Sequence, residues 1–258
     1  MTYSSRNLRK ASLAATVALL TTTLACGADD LTEPLAPAFN ISFRWSADPG
    51  IDLESDGVKS IRAAIESNTV AEFLSLDYVY SGYDEASELR NLTNAAAYLE
   101  HPAVEGIGTA YLHIIANGEP SESQRYHVCK DMTGTARKIG TSYPYPNPDK
   151  VDETFGAITV SVSTDPIPLR ELSPRLEPTL TTSSPLLVSE LPGRKARPDE
   201  TPFVFSTNMT YNPRKVTLDP SPCGSWFETR WGTREVPTPA RPVDQAPVVE
   251  AFYPGWDQ

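Results

Sequence analysis

Thr109-Ala-Tyr-Leu-His-Ile-Ile-Ala116, followed by Arg125-Tyr-His-Val-Cys129 after a break containing Gly, Pro and Ser (residues 117–123), decides the fold. Side-chain character alternates with a period of two. Leu112, Ile114, Ala116, Tyr126 and Val128 fall on one face, and Tyr111, His113, Ile115, Arg125, His127 and Cys129 on the other. Two such runs across a turn-forming break predict a β-hairpin. Pairing like faces requires partner numbers with an even sum, most simply 240. That register sets Leu112 against Val128 and His113 against His127.

Working outward, Phe155 to Thr164 alternates Ile158, Val160 and Val162 against Thr159, Ser161 and Ser163, a third strand with one face buried and one wet. Ile41, Phe43 and Trp45 predict a short strand ended by Asp48-Pro49-Gly50. Between them the period becomes helical. Ser55 or Asp56 caps a helix carrying Val58, Ile61, Ala64 and Ile65, running to about Leu76. A second helix fits Glu85 to Glu100, stopped by Pro102. Of the 24 Pro, 19 lie at or beyond Pro144, so residues 166–202 admit no long helix and no central strand. Phe203 to Tyr211 and Trp226-Phe227 to Trp231 read as further strands, and the tail from Pro237 as an extended wrap. The expected fold class is α+β: two N-terminal helices packed on a curved antiparallel sheet, with a Pro-rich extended C-terminal region.

Composition narrows the function classes. Length 258 with 40% hydrophobic residues is ample for a packed core, and three Cys are far too few for a disulfide scaffold. The net charge is −11, and without the first 25 residues 19 bases face 33 acids. So acidic a surface repels nucleic acid, and none is expected as a partner.

The first 10 residues are polar and basic (Arg6, Arg9, Lys10), and Ala11 to Ala25 is nearly all small or apolar. That is a secretory leader, too short for a comfortable span of ~20 residues. It stops at Leu24-Ala25-Cys26-Gly27, which resembles the lipobox of bacterial lipoproteins. In that family the small residue before Cys fits the signal peptidase, and the Cys thiol takes a diacylglycerol. The resemblance implies lipidation at Cys26, attachment to the outer face of the cell membrane, and a lipid anchor as first partner; plain secretion is the alternative. With Cys26 acylated, Cys129 and Cys223 remain on the oxidising side, where a disulfide between them is expected. The organisation then reads as a signal peptide (1–25), an acidic tether (26–40), an α+β domain (41–165), a Pro-rich linker or wrap (166–202), and C-terminal strands and tail completing the same domain (203–258).

Chemical motifs are sparse. There is no Gly-x-Ser-x-Gly, Walker loop, His-Glu-x-x-His or paired Cys-x-x-Cys, and three His leave few nucleophile–base pairs. Asp52, Glu54 and Asp56 followed by Gly57 look like the front half of a calcium loop, but Ala63 stands where the twelfth-position Glu belongs. The same acids serve a helix N-terminus. His113 and His127 could begin a zinc site, without an identifiable third ligand. Tyr143 and Tyr145, in the stiff Tyr143-Pro-Tyr-Pro-Asn-Pro148 loop, belong with Tyr78, Tyr80, Tyr83 and Trp256 to a set of aromatics read as exposed and available for stacking on a ligand. No cofactor is expected.

Helix-then-hairpin order resembles the NTF2-like/cystatin-like superfamily at the level of fold. The run from Gly50-Ile51-Asp52-Leu53 to Glu66-Ser67 resembles uncharacterised secreted proteins of actinobacteria. The functional expectation is a membrane-tethered extracytoplasmic binding or interaction module for an envelope protein or small ligand. A carboxylate-dependent cell-envelope hydrolase and a purely structural envelope lipoprotein are the alternatives. Metabolic labelling with a palmitate analogue tests the anchor: wild type should be labelled and Cys26→Ala should not.

Overall fold

The computed structural model describes residues 39–87, 104–117, 123–146, 154–167, 194–211, 221–237 and 240–257. The elements in chain order are β1 (Phe39–Ala47), α1 (Asp56–Phe73), a single 3-10 turn (Leu76–Tyr78), α2 (Tyr83–Ala86), β2 (Gly106–Ala116), β3 (Ser123–Asp131), β4 (Thr135–Arg137), β5 (Phe155–Pro166), β6 (Arg194–Lys195), β7 (Phe205–Tyr211), α3 (Gly224–Trp231) and β8 (Trp256–Asp257). The class is mixed α/β, mostly strand, with few helices among the described residues. The main sheet runs β1-β2-β3-β5-β7, with β4 also on β2. No described helix is long and apolar enough to cross a membrane.

The sheet is not purely antiparallel. β1 pairs parallel with β2, from Phe39 against Gly106 to Ala47 against Ile114. Parallel neighbours need a long crossover, and the segment containing α1 supplies it. Where β2 passes from β4 to β3, Gly108 adopts φ +122, and a Cβ there would meet the Gly134 carbonyl oxygen at 2.2 Å. Only glycine accommodates both constraints.

The hairpin forms, but its register is two residues away from the simplest one. Ile114 pairs with Val128, Leu112 with Lys130 and His113 with Cys129. An even shift keeps every side chain on its face, so the predicted alternation survives. In this register Lys130 stands opposite Leu112 on the inner face, where its Nζ lies 2.7 Å from Glu72 Oε2 on α1, and Cys129 stands opposite His113 on the outer face, bonded to Cys223. His113 and His127 therefore do not face each other; His127 pairs with Ile115.

Three further expectations change. Trp226 to Trp231 is a helix, not a strand: the i→i−4 ladder and Gly232, left-handed at φ 70 just past α3, outweigh the strand preference of its aromatic residues. Trp256, Tyr80 and Tyr83 are buried at 4%, 6% and 1% exposure, not presented to solvent. Of the helix read at Glu85 to Glu100, the described part is the one turn of α2, after which Ser87 is extended and bridges Thr207; the rest lies outside the described residues. So do Cys26 and residues 168–193 of the Pro-rich segment.

α1 starts at Asp56 as predicted and lies on the inner sheet face, Val58, Ile61 and Ile65 packing with Phe43, Leu112, Val128, Ile158 and Val160. Its other sides are buried as well, so its polar residues are inside. Glu66 accepts from Trp45 Nε1 (2.7 Å), the Tyr80 hydroxyl (2.6 Å) and Trp256 Nε1 (3.0 Å). Arg62, fully buried, donates to the Leu53 and Gly255 carbonyls and lies 4.4 Å over the Trp256 ring. The tail thus docks on β1 and α1 together. The Trp45 N–H donates to the Tyr253 carbonyl, and the Tyr253 N–H to the Phe43 carbonyl.

Burial pushes the Glu66 carboxyl above its ordinary 4.5, against the opposing pull of Arg62 and the three donors. A raised folded-state value means that the native state holds its proton longer than the unfolded chain does. Glu66 should therefore contribute stability that is fully present below pH 4.5 and is lost as pH rises through its raised value. Urea titrations across that window should show wild type losing stability relative to Glu66→Gln. Glu66→Ala, which strands three buried donors, should cost about 3–5 kcal/mol.

Candidate functional site

Even-numbered residues of β1 and odd-numbered residues of β2 point to the outer sheet face, opposite α1. The parallel register sets Arg44 beside Tyr111 and Ser46 beside His113. α3 lies over this face because Cys223, at its N-terminus, is bonded to Cys129, the residue opposite His113 on β3. Phe227 and Trp231, four apart on one side of α3, stack at 4.7 Å and pack edge-on against Phe155. This second core orients the remaining α3 side chains towards β1 and β2.

Between α3 and the strands is an open cavity of about 320 Å³, near the lower end of ligand-site sizes, whose walls include Arg44, Ser46, Tyr111, Trp226, Thr229 and Arg230. Its charges are balanced from outside it. Arg44 Nε is 3.2 Å from Glu250 Oε2, and its Nη1 donates to the Ala251 carbonyl. Arg230 Nε is 2.6 Å from the buried Asp131 carboxylate, and the guanidinium covers the Tyr111 ring. The Tyr111 hydroxyl donates to Glu250. Burial, reinforced by Glu250, pushes this phenol above its ordinary value, so it remains a neutral donor. The cavity therefore offers aromatic faces, a hydroxyl-bearing rim and two oriented guanidinium groups.

One edge carries a chain of hydrogen bonds. The His113 ring stacks on Trp226 at 5.5 Å and 9°. Its Nδ1 is 2.9 Å from Ser46 Oγ and its Nε2 is 3.1 Å from Asp48 Oδ1. Ser46 Oγ is also 3.2 Å from the Leu112 carbonyl. The ring is largely covered, with 12% of its side chain exposed, whereas Ser46 is exposed.

The other residues singled out from sequence go elsewhere. His127 lies 3.2 Å from Thr159 Oγ1, and burial lowers its pKa below the ordinary 6.5. Tyr143 and Tyr145 are engaged by the chain's own C-terminal segment. The Tyr143 N–H donates to the Val243 carbonyl, Arg241 donates to the Tyr143 carbonyl at 3.0 Å, and its guanidinium lies 4.6 Å over the Tyr145 ring. Asp52 Oδ1 accepts the Glu54 N–H, and Glu54 is 3.1 Å from both Arg62 and Arg194, while Asp56 opens α1. Among the described residues no three His, Cys, Asp or Glu gather as metal ligands. Sequence reasoning passed over Arg44, Ser46, Asp48, Tyr111, Trp226 and Arg230 as site residues. The available signal was that Arg44 and Ser46 stand on the wet side of a strand whose other side is wholly aromatic or aliphatic. No protein-family model, curated protein or solved structure matches this chain.

The disulfide holds one wall of the cavity in place across 94 residues of sequence. Cys223→Ser should lower the unfolding free energy by about 2–5 kcal/mol in urea titrations. It should also expose the Trp226 and Trp231 indoles, read as a red shift of tryptophan emission before global unfolding.

Proposed function

We propose that this chain is an extracytoplasmic lipoprotein, anchored through Cys26, whose folded part is a binding module with the outer-face cavity as its ligand site. The observation that carries the binding half is the cavity itself, which is lined by Tyr111, Trp226, Arg44 and Arg230 and has no carboxylate among its lining residues. Aromatic faces supply stacking area, and the guanidinium groups supply directional donors for an oxygen-rich or anionic small ligand. That composition favours binding over the alternative of a hydrolase working through paired carboxylates. The anchoring half is supported by the basic, then apolar leader ending at Cys26 and by the bonded Cys129–Cys223 pair, which suits an oxidising compartment. Nucleic acid is not a partner under this reading, given the acidity of the chain.

The same proposal keeps the expectation of two helices packed on a curved sheet. An envelope scaffold without a ligand is the reading it displaces.

Affinity capture from envelope extracts with the full chain tests it. Wild type should retain a small-molecule component, identified by mass spectrometry, that Arg44→Ala and Arg230→Ala retain at least ~10-fold less well, the loss expected for one oriented charged contact worth about 1.4 kcal/mol. Retention unaffected by both substitutions, or no selective retention, would remove the cavity from the function. Recovery of wild type and Cys26→Ser alike from the medium would remove the anchor.

A further inference from the structure

We infer that Ser46, His113 and Asp48 form a nucleophile–base–carboxylate relay that gives the cavity an acyl-transfer activity on carboxylic esters. The parts come from three local facts. The parallel β1–β2 register makes Ser46 and His113 lateral neighbours. The turn after β1 carries Asp48 back to β2, its own N–H donating to the Ile114 carbonyl at 2.9 Å. The disulfide brings α3 across, so that Trp226 stacks on the imidazole and covers it. Ser46 Oγ, His113 and Asp48 Oδ1 then stand in sequence at 2.9 Å and 3.1 Å, within the reach required for nucleophile, base and orienting group. The relay uses Nδ1 towards the hydroxyl and Nε2 towards the carboxylate. Asp48 thus selects the tautomer that carries its proton on Nε2 and leaves the Nδ1 lone pair for Ser46.

Ser46 lines the cavity, so a bound ester can approach its exposed hydroxyl. Oγ adds to the ester carbonyl carbon while its proton passes to His113 Nδ1. The tetrahedral adduct collapses, the bond from carbon to the alkoxy oxygen breaks, and His113 returns the proton to the departing alcohol. Water, losing a proton to the same nitrogen, then adds to the acyl carbon; the bond from that carbon to Ser46 Oγ breaks, His113 passes the proton to Oγ, and the acid is released with Ser46 restored. Arg44 and Arg230 line the same cavity, so negative charge on the former carbonyl oxygen develops beside two guanidinium groups. Asp48 touches no reacting atom and is a positioning residue. A relay serving only to tie β1 to β2 would have the same hydrogen bonds and no reactivity, which is what the experiment separates.

The folded full chain is treated with a fluorophosphonate probe and, separately, with p-nitrophenyl acetate. The expected results are a probe adduct mapped by peptide mass spectrometry to Ser46 and hydrolysis above the rate of the heat-denatured chain. Ser46→Ala and His113→Gln should each lower that rate by at least ~100-fold, in the range of a lost nucleophile or general base. Asp48→Asn should lower it by at least ~10-fold, with Asp48→Glu recovering part of the loss. No adduct at Ser46 in wild type, an equal adduct in His113→Gln, or hydrolysis that survives Ser46→Ala would each overturn the assignment. The wild-type adduct needs no variant, so the test stands even if a substitution prevents folding. Failure here leaves ligand capture by the cavity untouched, because capture is scored on Arg44 and Arg230.

Discussion

A single carboxylate inside the protein organises the rest. Glu66 sits in the middle of a helix enclosed on all sides, and it is tolerable there only because donors from three separate parts of the chain converge on it: Trp45 of β1, Tyr80 beyond the 3-10 turn, and Trp256 of β8. A buried carboxylate without partners is driven to its neutral form, and each donor left without the carboxylate would be stranded in turn. The requirement is mutual. It fixes the depth of α1 against the sheet, the approach of the tail and the angle at which β1 presents its outer face. Arg62 closes the arrangement from an earlier position on the helix, and Glu72 with Lys130 repeats it on a smaller scale further along.

The outer cavity inherits its geometry from that inner order. Because Trp45 is held by Glu66, its strand neighbours Arg44 and Ser46 are held on the opposite face. Because Lys130 is drawn inward, the neighbouring Cys129 is turned outward to meet Cys223. Polar contacts in one layer thus set the register of groups in the next, through the alternation of strand side chains. Glu250, next to the stretch of tail that runs along β1, then neutralises Arg44 and receives the Tyr111 hydroxyl.

Much of this was legible in the sequence. The hairpin, β5 and the start of α1 follow from the spacing of Leu112, Ile114, Val128, Ile158, Val160 and Ile61, and from the acidic residues before the helix, because periodicity reports directly on burial. The Cys129–Cys223 pair followed from the expectation of an oxidising compartment read from the first 27 residues. What was not legible depends on distant partners. The register of β2 on β3 is two residues from the simplest one, and the partners of its inner Lys130 and outer Cys129, Glu72 and Cys223, are distant residues that no local pattern announces. Trp256 reads as an exposed terminal aromatic until its acceptor, 190 residues earlier, is known. The cavity was hidden for the same reason: Arg44, Tyr111 and Arg230 are ordinary polar surface residues one by one, and only the parallel pairing and the position of α3 assemble them.

The place of Trp256 in the centre has a consequence for how the chain comes into being. A polypeptide that emerges N-terminus first offers Glu66 long before its third donor, so the inner layer cannot close until Trp256 has been made. Until then Glu66 has only the nearer donors, Trp45 and Tyr80. The timing is written into the distance along the chain between one acid and one indole.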